Sequence, residues 1–493
     1  MERIIDVRNG RNLTMLTDFY ELTMGNGYFE NGVEDTIAYF DMYFRRVPDE
    51  GGFCVMAGVD QLIEYLENLT FTEDDIEYLR KKKYFSEGFL NYLANFELKC
   101  DVWAVPEGTP VFPNEPLVTV RGPIIQAQFI ETMTLLTINH QTLIATKANR
   151  IVRAAAGRDV LEFGSRRAQG YDGAIYGSRA AIVGGCTSSA NTLAEIMFNV
   201  PATGTMAHSW VQLFDSEYVA FKKWAEVYPD RCSLLIDTFN VLKSGVPNAI
   251  RVFDEFIVPK GFRPKSVRID SGDITYLTKE TRKMLDEAGY PDVKIIVSNS
   301  LDEYIIKDVL AQGAQIDIFG VGERLITARS EPVFGGVYKL VAMEKDGVVM
   351  PKIKISENQE KITTPHFKKI YRIYSKKSNL AVADLICIND EVIDESEPLT
   401  IFHPIYTWKR RTFTEYYVRD LQVKIFDQGK LVYKSPTVLE IRDYSAKELN
   451  QLWPEVLRLE YPHNFYVDLS EKLWNTQQKL LIEHTQEYNV DKY

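Results

Sequence analysis

Residues 267–325 read VRIDSGDITYLTKETRKMLDEAGYPDVKIIVSNSLDEYIIKDVLAQGAQIDIFGVGERL, and their alternation decides the fold. Three short apolar runs are separated by two stretches with helical apolar spacing. These stretches end at Gly289 and Gly313, where a glycine commonly closes a helix. Strand runs that alternate with helices of this length indicate parallel βαβ units. The same rhythm extends outward to VLEFG from Val160, LLIDTF from Leu234 and VYKLVAM from Val337. The connectors TLAEIMFN, SEYVAFKKWAEVY and VPNAIRVFDEF also have helical spacing. An α/β barrel over residues 141–345 is the expected core.

The flanks have other textures. Residues 1–140 mix helical patterns at 58–66 and 74–79 with a Pro-punctuated extended run at 102–120, an N-terminal α+β domain. Residues 346–493 are β-rich (GVVMPKIKIS, KKIYRIYS, LQVKIFDQGKLVYKS) and close with helical patterns at 445–457 and 473–487. Three domains agree with a chain of 493 residues at roughly 150 per domain.

Composition narrows the function. With 45% hydrophobic and 26% charged residues the chain is ordinary globular protein. Its 57 basic and 69 acidic residues leave a net charge of −12, which argues against nucleic acid as a partner. No run approaches the roughly 18 apolar residues that span a bilayer, and the start MERIIDVRNG has no apolar leader. The five cysteines are scattered and never spaced as CxxC, so reduced thiols in a cytoplasmic protein are expected. No His or Cys pair stands at zinc-ligand spacing.

The chemistry collects where the apolar runs end. They finish in Glu162-Phe163-Gly164-Ser165-Arg166-Arg167, Asp237-Thr238, Asp270-Ser271-Gly272-Asp273, Ser298-Asn299-Ser300 and Gly320-Val321-Gly322. In a parallel barrel such ends share one face, where active sites are built. Each alone has a structural explanation as a helix cap or tight turn. Five in succession, mixing carboxylates, arginines and glycines, point to a site. Gly320 and Gly322 suit phosphate bound through backbone N–H groups, although Leu325 replaces the third glycine of a dinucleotide fingerprint. Arg166 and Arg167 offer planar forks for carboxylate or phosphate. Asp270 and Asp273 suit sugar hydroxyls or Mg²⁺. His208, in GTMAHSWV, is a lone histidine inside the barrel region. There is no G-x-S-x-G elbow for a serine hydrolase. The residues alone thus describe a barrel enzyme for a phosphorylated, sugar-containing anion.

At these residues the chain closely resembles the nicotinate phosphoribosyltransferases. The matching pieces are TDFYELTM (17–24), EFGSRRAQG (162–170), GCTSSAN (185–191), GTMAHSWV (204–211), RIDSGD (268–273), VSNSLDE (297–303) and FGVGERL (319–325). The resemblance implies an irregular (β/α) barrel of phosphoribosyltransferase type II, carrying an N-terminal α+β domain and a C-terminal β-rich and helical module. It implies transfer of phosphoribose from 5-phosphoribosyl 1-diphosphate to nicotinate, giving nicotinate mononucleotide and diphosphate on the route to NAD. ATP hydrolysis is coupled to that transfer through a phosphohistidine at the position of His208, which places such enzymes in the ligase class, with Mg²⁺ as cofactor.

The same resemblance implies residue roles. Phe163 stacks on the pyridine ring and Tyr20 covers its other face from a neighbouring subunit, so a homodimer with shared active sites is expected. Arg166 meets the substrate phosphate or carboxylate, with Arg167 behind it. Asp270 holds the ribose hydroxyls, Asp273 is a candidate to assist Mg²⁺, and Ser298, Asn299, Gly320 and Gly322 cradle the 5′-phosphate. Ser188 selects the base: the related nicotinamide enzyme has an aspartate near this position, which would repel nicotinate's carboxylate. The alternatives are nicotinamide phosphoribosyltransferase and a non-catalytic nucleotide-sensing relative, which would be expected to lack His208 or Asp270. Lys409, Arg410 and Arg411 read as a solvated basic patch or a polyphosphate contact.

Overall fold

The computed structural model describes residues 11–358 and 361–485. The start MERIIDVRNG at 1–10, on which the leader expectation rests, and the last residues of the helical pattern at 473–487 lie outside the described residues. The chain divides into two compact units. One is built on Ile144–Pro332 with Thr437–Arg442; the other takes the described parts of Val7–Leu143, Val333–Pro436 and Asp443–Tyr493.

The first unit contains six parallel strands: β1 (Asp159–Glu162), β2 (Ser188–Ser189), β3 (Ser233–Leu235), β4 (Ser266–Ile269), β5 (Lys294–Val297) and β6 (Ile318–Val321). Their order is β2-β1-β6-β5-β4-β3, and every pairing is parallel. All but one pair of chain neighbours lie side by side, and the last strand pairs with the first. Val267, Ile269, Ile295, Val297, Phe319 and Val321 are fully buried, as expected for a parallel sheet covered on its faces.

Side-chain caps start the intervening helices. Asn191, Ser216, Asp273 and Asp302 accept backbone N–H groups at the starts of Thr192–Phe198, Glu217–Val227, Ile274–Glu287 and Glu303–Ala311. Gly289 and Gly313 follow two of these helices with φ of +86° and +85°, and the N–H of the next residue donates back to Leu285 and Val309. The helix expected over VPNAIRVFDEF is an α-helix only over Val246–Val252 and then passes into the π-turn Phe253–Ile257, and a further π-turn, Val241–Gly245, precedes it. Gly245 is pressed against the strand that precedes it, since a β-carbon there would lie 1.9 Å from the Ile236 carbonyl oxygen. Among the described residues no helix is long and apolar enough to cross a membrane.

The second unit corrects one strand assignment. VYKLVAM lies in Gly336–Lys345, which pairs antiparallel with Ile37–Phe44 and takes no part in the parallel sheet. The seven-stranded sheet runs Val348–Pro351, Gly336–Lys345, Ile37–Phe44, Val118–Pro123, Asp101–Ala104, Val423–Asp427, Lys430–Leu431. It therefore joins the N-terminal and C-terminal segments that texture had separated. Pairing between strands hundreds of residues apart leaves no local signature in either strand. A four-stranded sheet (Tyr416–Asp420, Lys368–Ser375, Ala381–Ile388, Val467–Leu469) completes the unit. The helix expected at 445–457 lies earlier, at Val438–Leu449, and 450–457 are turns; the pattern at 473–487 falls in Glu471–Thr485 as far as it is described. All five cysteines are buried and none forms a disulfide.

Two buried ion pairs brace this second unit. Arg372 holds Asp384 through Nε (2.8 Å) and Nη2 (2.6 Å), and Nη2 also donates to the Pro110 carbonyl. Lys368 Nζ lies 2.7 Å from Asp41 Oδ2 with both side chains 2% exposed, tying the C-terminal segment to the strand Ile37–Phe44. Removing one member of such a pair leaves an uncompensated buried charge. Lys368→Met is expected to lower unfolding free energy by about 3–5 kcal/mol in a denaturant titration. Lys368→Met with Asp41→Leu should recover much of that loss; equal destabilisation in both would show that the pair is not the cause.

Candidate active site

Strand register decides which side chains meet at the carboxyl end of the parallel sheet. Arg268 and Ile269 on β4 face Ile296 and Val297 on β5, and Val297 faces Phe319 on β6. Side chains alternate along each strand, so Arg268 and Asp270 share one side while Ile269 enters the core. The next residues along β5 and β6 are Ser298 and Gly320, and they fall beside Asp270. Ser298 Oγ donates to Asp270 Oδ1 at 2.5 Å. Arg268 grips the same pair, with Nε 2.7 Å from Ser298 Oγ and Nη2 3.1 Å from Asp270 Oδ1. Its Nη1 reaches Thr205 Oγ1 at 3.1 Å.

Phe163 follows β1 and lies across this row. Its N–H donates to the Val321 carbonyl (2.8 Å), and its ring lies over Gly320, where a β-carbon would come within 2.7 Å. The Arg268 guanidinium is 5.7 Å from the ring centroid. Gly164 is packed just as closely, since a β-carbon there would lie 2.7 Å from the Gly322 carbonyl oxygen. The turn is anchored from below by Glu162, which is fully buried. Its carboxylate accepts hydrogen bonds from the Gly164 N–H, Ser189 Oγ (2.6 Å) and Ser178 Oγ (2.9 Å). Burial pushes its pKa up while those three donors pull it down.

His208 begins the short helix His208–Gln212 and points at two carboxylates. Its Nε2 lies 3.8 Å from Asp270 Oδ2 and 4.0 Å from Asp237 Oδ1, while Nδ1 meets Thr238 Oγ1 at 3.1 Å. Asp237, whose side chain is 1% exposed, uses Oδ2 to hold the Asp270 N–H (3.0 Å) and Ser271 Oγ (2.6 Å). Its Oδ1 is buried with no partner and is left to face the imidazole.

Of the expected site residues, Phe163, His208, Asp270, Ser298, Gly320 and Gly322 form this connected cluster. Arg166 and Arg167 stand beside it on the exposed turn Ser165–Arg167, without an ion pair among the described residues. Asn299 is exposed. Ser188, on β2, is 6% exposed and its hydroxyl is buried without a partner. Asp273 Oδ1 accepts the Tyr276 N–H at 2.9 Å, so this carboxylate caps a helix. Asp237, Arg268 and Thr205 were given no role from sequence. Arg268 had a readable signal, the alternation in Arg-Ile-Asp that sets it on the same side as Asp270.

Tyr20 belongs to the second unit. It lies in the first turn of Phe19–Glu30 and is 43% exposed; burial of its phenol and the nearby Glu131 push its pKa up. Its neighbour Glu21 is buried and accepts from the Thr132 N–H (3.1 Å) and Thr132 Oγ1 (2.6 Å) at the start of Glu131–Ala154. Burial pushes the Glu21 carboxyl up to about 7.

Comparison with known proteins gives this cluster its context. Family models described as the nicotinate phosphoribosyltransferase N-terminal and C-terminal domains match residues 15–139 and 367–477. A nicotinate phosphoribosyltransferase of Bacillus subtilis is 44% identical over 472 residues, covering 96% of each chain. One from Mycobacterium tuberculosis is 37% identical, covering 90% of this chain and 89% of its own. The crystal structure of human nicotinic acid phosphoribosyltransferase superposes with a TM-score of 0.82 at 28% identity, covering 94% of this chain and 100% of that one. On identity and coverage together, the chain is a member of the nicotinate phosphoribosyltransferase family.

Proposed function

We propose that this chain transfers phosphoribose from 5-phosphoribosyl 1-diphosphate to nicotinate, with ATP hydrolysis coupled through a phosphohistidine at His208. The observation that carries the reading is the convergence of His208, Asp237 and Asp270 beside the Phe163–Gly320 packing, in a chain of this family. The cyclic strand order, with β6 paired to β1 and a parallel bridge from Ser189 to Ala202 beyond β2, supports an irregular (β/α) barrel.

In the transfer, the nicotinate nitrogen forms a bond to the anomeric carbon as the bond to the diphosphate oxygen breaks, and diphosphate leaves with the electron pair. The pyridine ring stacks on Phe163, and Ser188 donates its unpartnered hydroxyl to the base. Asp270, fixed by Arg268 and Ser298, holds the ribose hydroxyls and its negative charge stabilises an oxocarbenium-like transition state. Arg166 and Arg167 bind the anionic ends of the substrates, and the turns at Ser298-Asn299 and Gly320–Gly322 take the 5′-phosphate. For the coupling step, the lone pair of a neutral imidazole nitrogen attacks the γ-phosphorus, and the bond to the β–γ bridging oxygen breaks to release ADP. Water later takes the phosphoryl group from His208.

Among the described residues no group of three or more His, Cys, Asp or Glu side chains could hold a metal. The carboxylates of Asp270 and Asp237, whose Oδ1 has no hydrogen-bond partner, would hold a Mg²⁺ ion that arrives with the phosphorylated substrate. Bound there it would neutralise charge on the phosphates. A homodimer is supported by Leu16, Phe19, Tyr20 and Met24, large apolar side chains that stand exposed along one short segment. In that assembly Tyr20 closes the partner's pyridine site.

Product analysis with each base, with and without ATP, tests the reading. Nicotinate mononucleotide formed from nicotinate and increased by ATP is expected; product from nicotinamide alone would refute it. His208→Asn should keep slow transfer while losing ATP stimulation, and full stimulation in that variant would eliminate the phosphohistidine. Tyr20→Ala should raise KM for nicotinate several-fold. Mixing it with an inactive Asp270→Asn subunit should restore one competent site per dimer; no restoration would mean that Tyr20 serves its own subunit.

A further inference from the structure

The proposed transfer uses only Tyr20 from the stretch TDFYELTM. The Tyr20 ring is exposed and stacks on no other aromatic ring among the described residues. Its direction is therefore set by the backbone that carries it, and that backbone is held from another helix of the same unit. Asp18 is the N-cap of Phe19–Glu30, but its side chain makes no capping hydrogen bond. Its N–H donates to Thr132 Oγ1 at 3.1 Å. Thr132 Oγ1 in turn donates to Glu21 Oε1 at 2.6 Å, and the Thr132 N–H reaches the same oxygen at 3.1 Å. Thr17 Oγ1 donates to the other carboxylate oxygen. Thr132 is the second residue of Glu131–Ala154, where an N–H has no partner within its own helix. The Glu21 carboxylate, 2% exposed, supplies that partner from the neighbouring helix. One hydroxyl thus ties together positions 18 and 21, and Tyr20 lies between them.

We propose that Thr132 is a positioning residue for base binding, whose hydroxyl links Asp18 to Glu21 and so sets the Tyr20 ring against the nicotinate. This role presupposes the reading of Tyr20 as the cover of the pyridine ring, and it holds whether the site covered is its own or the partner's. Among side chains of this shape only a hydroxyl accepts from one group and donates to the next through a single atom. Thr132→Val keeps the shape, removes both bonds and leaves the buried Glu21 carboxylate one donor short. Thr132→Ser keeps both bonds. A ring no longer held in place must be ordered when the base arrives, which weakens binding. Stacking acts alike on bound base and transition state, so its loss falls on KM and spares kcat.

Steady-state kinetics of the full chain test the role. Thr132→Val is expected to raise KM for nicotinate about fivefold, with kcat and KM for 5-phosphoribosyl 1-diphosphate within about twofold of the unsubstituted chain. Thr132→Ser should restore KM. Glu21→Gln, which exchanges the carboxylate for a weaker neutral acceptor, is the second variant and should raise the same KM. On a Tyr20→Ala background, Thr132→Val should raise KM no further, because the ring it sets is gone. Unchanged KM in both Thr132→Val and Glu21→Gln would overturn the positioning role, and so would an effect of Thr132→Val that persists in full without Tyr20. Either result leaves the cover by Tyr20 standing if Tyr20→Ala alone raises KM. Unchanged KM in Tyr20→Ala would overturn the cover and the positioning role together.

Discussion

The parallel register of β4, β5 and β6 fixes Ile269 opposite Val297 and Val297 opposite Phe319, and the candidate site depends on that alignment. Because side chains alternate, burying these three apolar residues forces the neighbouring positions towards the other side of the sheet or beyond its end. Asp270, Ser298 and Gly320 are those positions. A one-residue slip of β5 would send Ser298 into the core and bring Val297 to Asp270. The buried apolar face thereby enforces the polar arrangement, and packing energy is what holds the geometry of the candidate site.

Polar contacts then remove the remaining freedom. Arg268 spends its donors on Ser298, Asp270 and Thr205, so it acts as a clamp on the carboxylate. Glu162 does the same for the turn that bears Phe163, through three hydrogen bonds in a fully buried setting. Gly164 and Gly320 let backbone and ring approach where any side chain would collide. Within this rigid frame, Asp237 Oδ1 and Ser188 Oγ are buried polar atoms without partners. Such atoms are disfavoured in a folded protein unless something else satisfies them, and Asp237 Oδ1 lies 4.0 Å from His208 Nε2.

Local pattern was enough to read five of the six parallel strands and most of the helices between them, because apolar runs and terminal glycines are short-range signals. It was also enough to place Phe163, Asp270, Ser298 and Gly320 at strand ends, and His208 between two of the strands. β2 escaped notice because two serines carry no hydrophobic signal. The strand Gly336–Lys345 was assigned to the wrong sheet, since nothing in its own composition reveals Ile37–Phe44 as its partner. Asp237 and Arg268 were visible as residues but silent as roles: what they do is set by hydrogen bonds between strands.

The seven-stranded sheet has a consequence for how the chain is made. Ile37–Phe44 has one neighbour in Val118–Pro123, but its other neighbour, Gly336–Lys345, is encoded some 300 residues later. At about 5–20 residues per second, the ribosome leaves that edge of Ile37–Phe44 open for roughly 15–60 s. The sequence IAYFDMYF is aromatic and apolar, the kind of open edge that recruits other strands. Asp41 lies at its centre and waits for Lys368, which emerges later still. An unpaired carboxylate in the middle of an apolar strand opposes premature pairing, so the residue that braces the finished sheet also guards it on the ribosome.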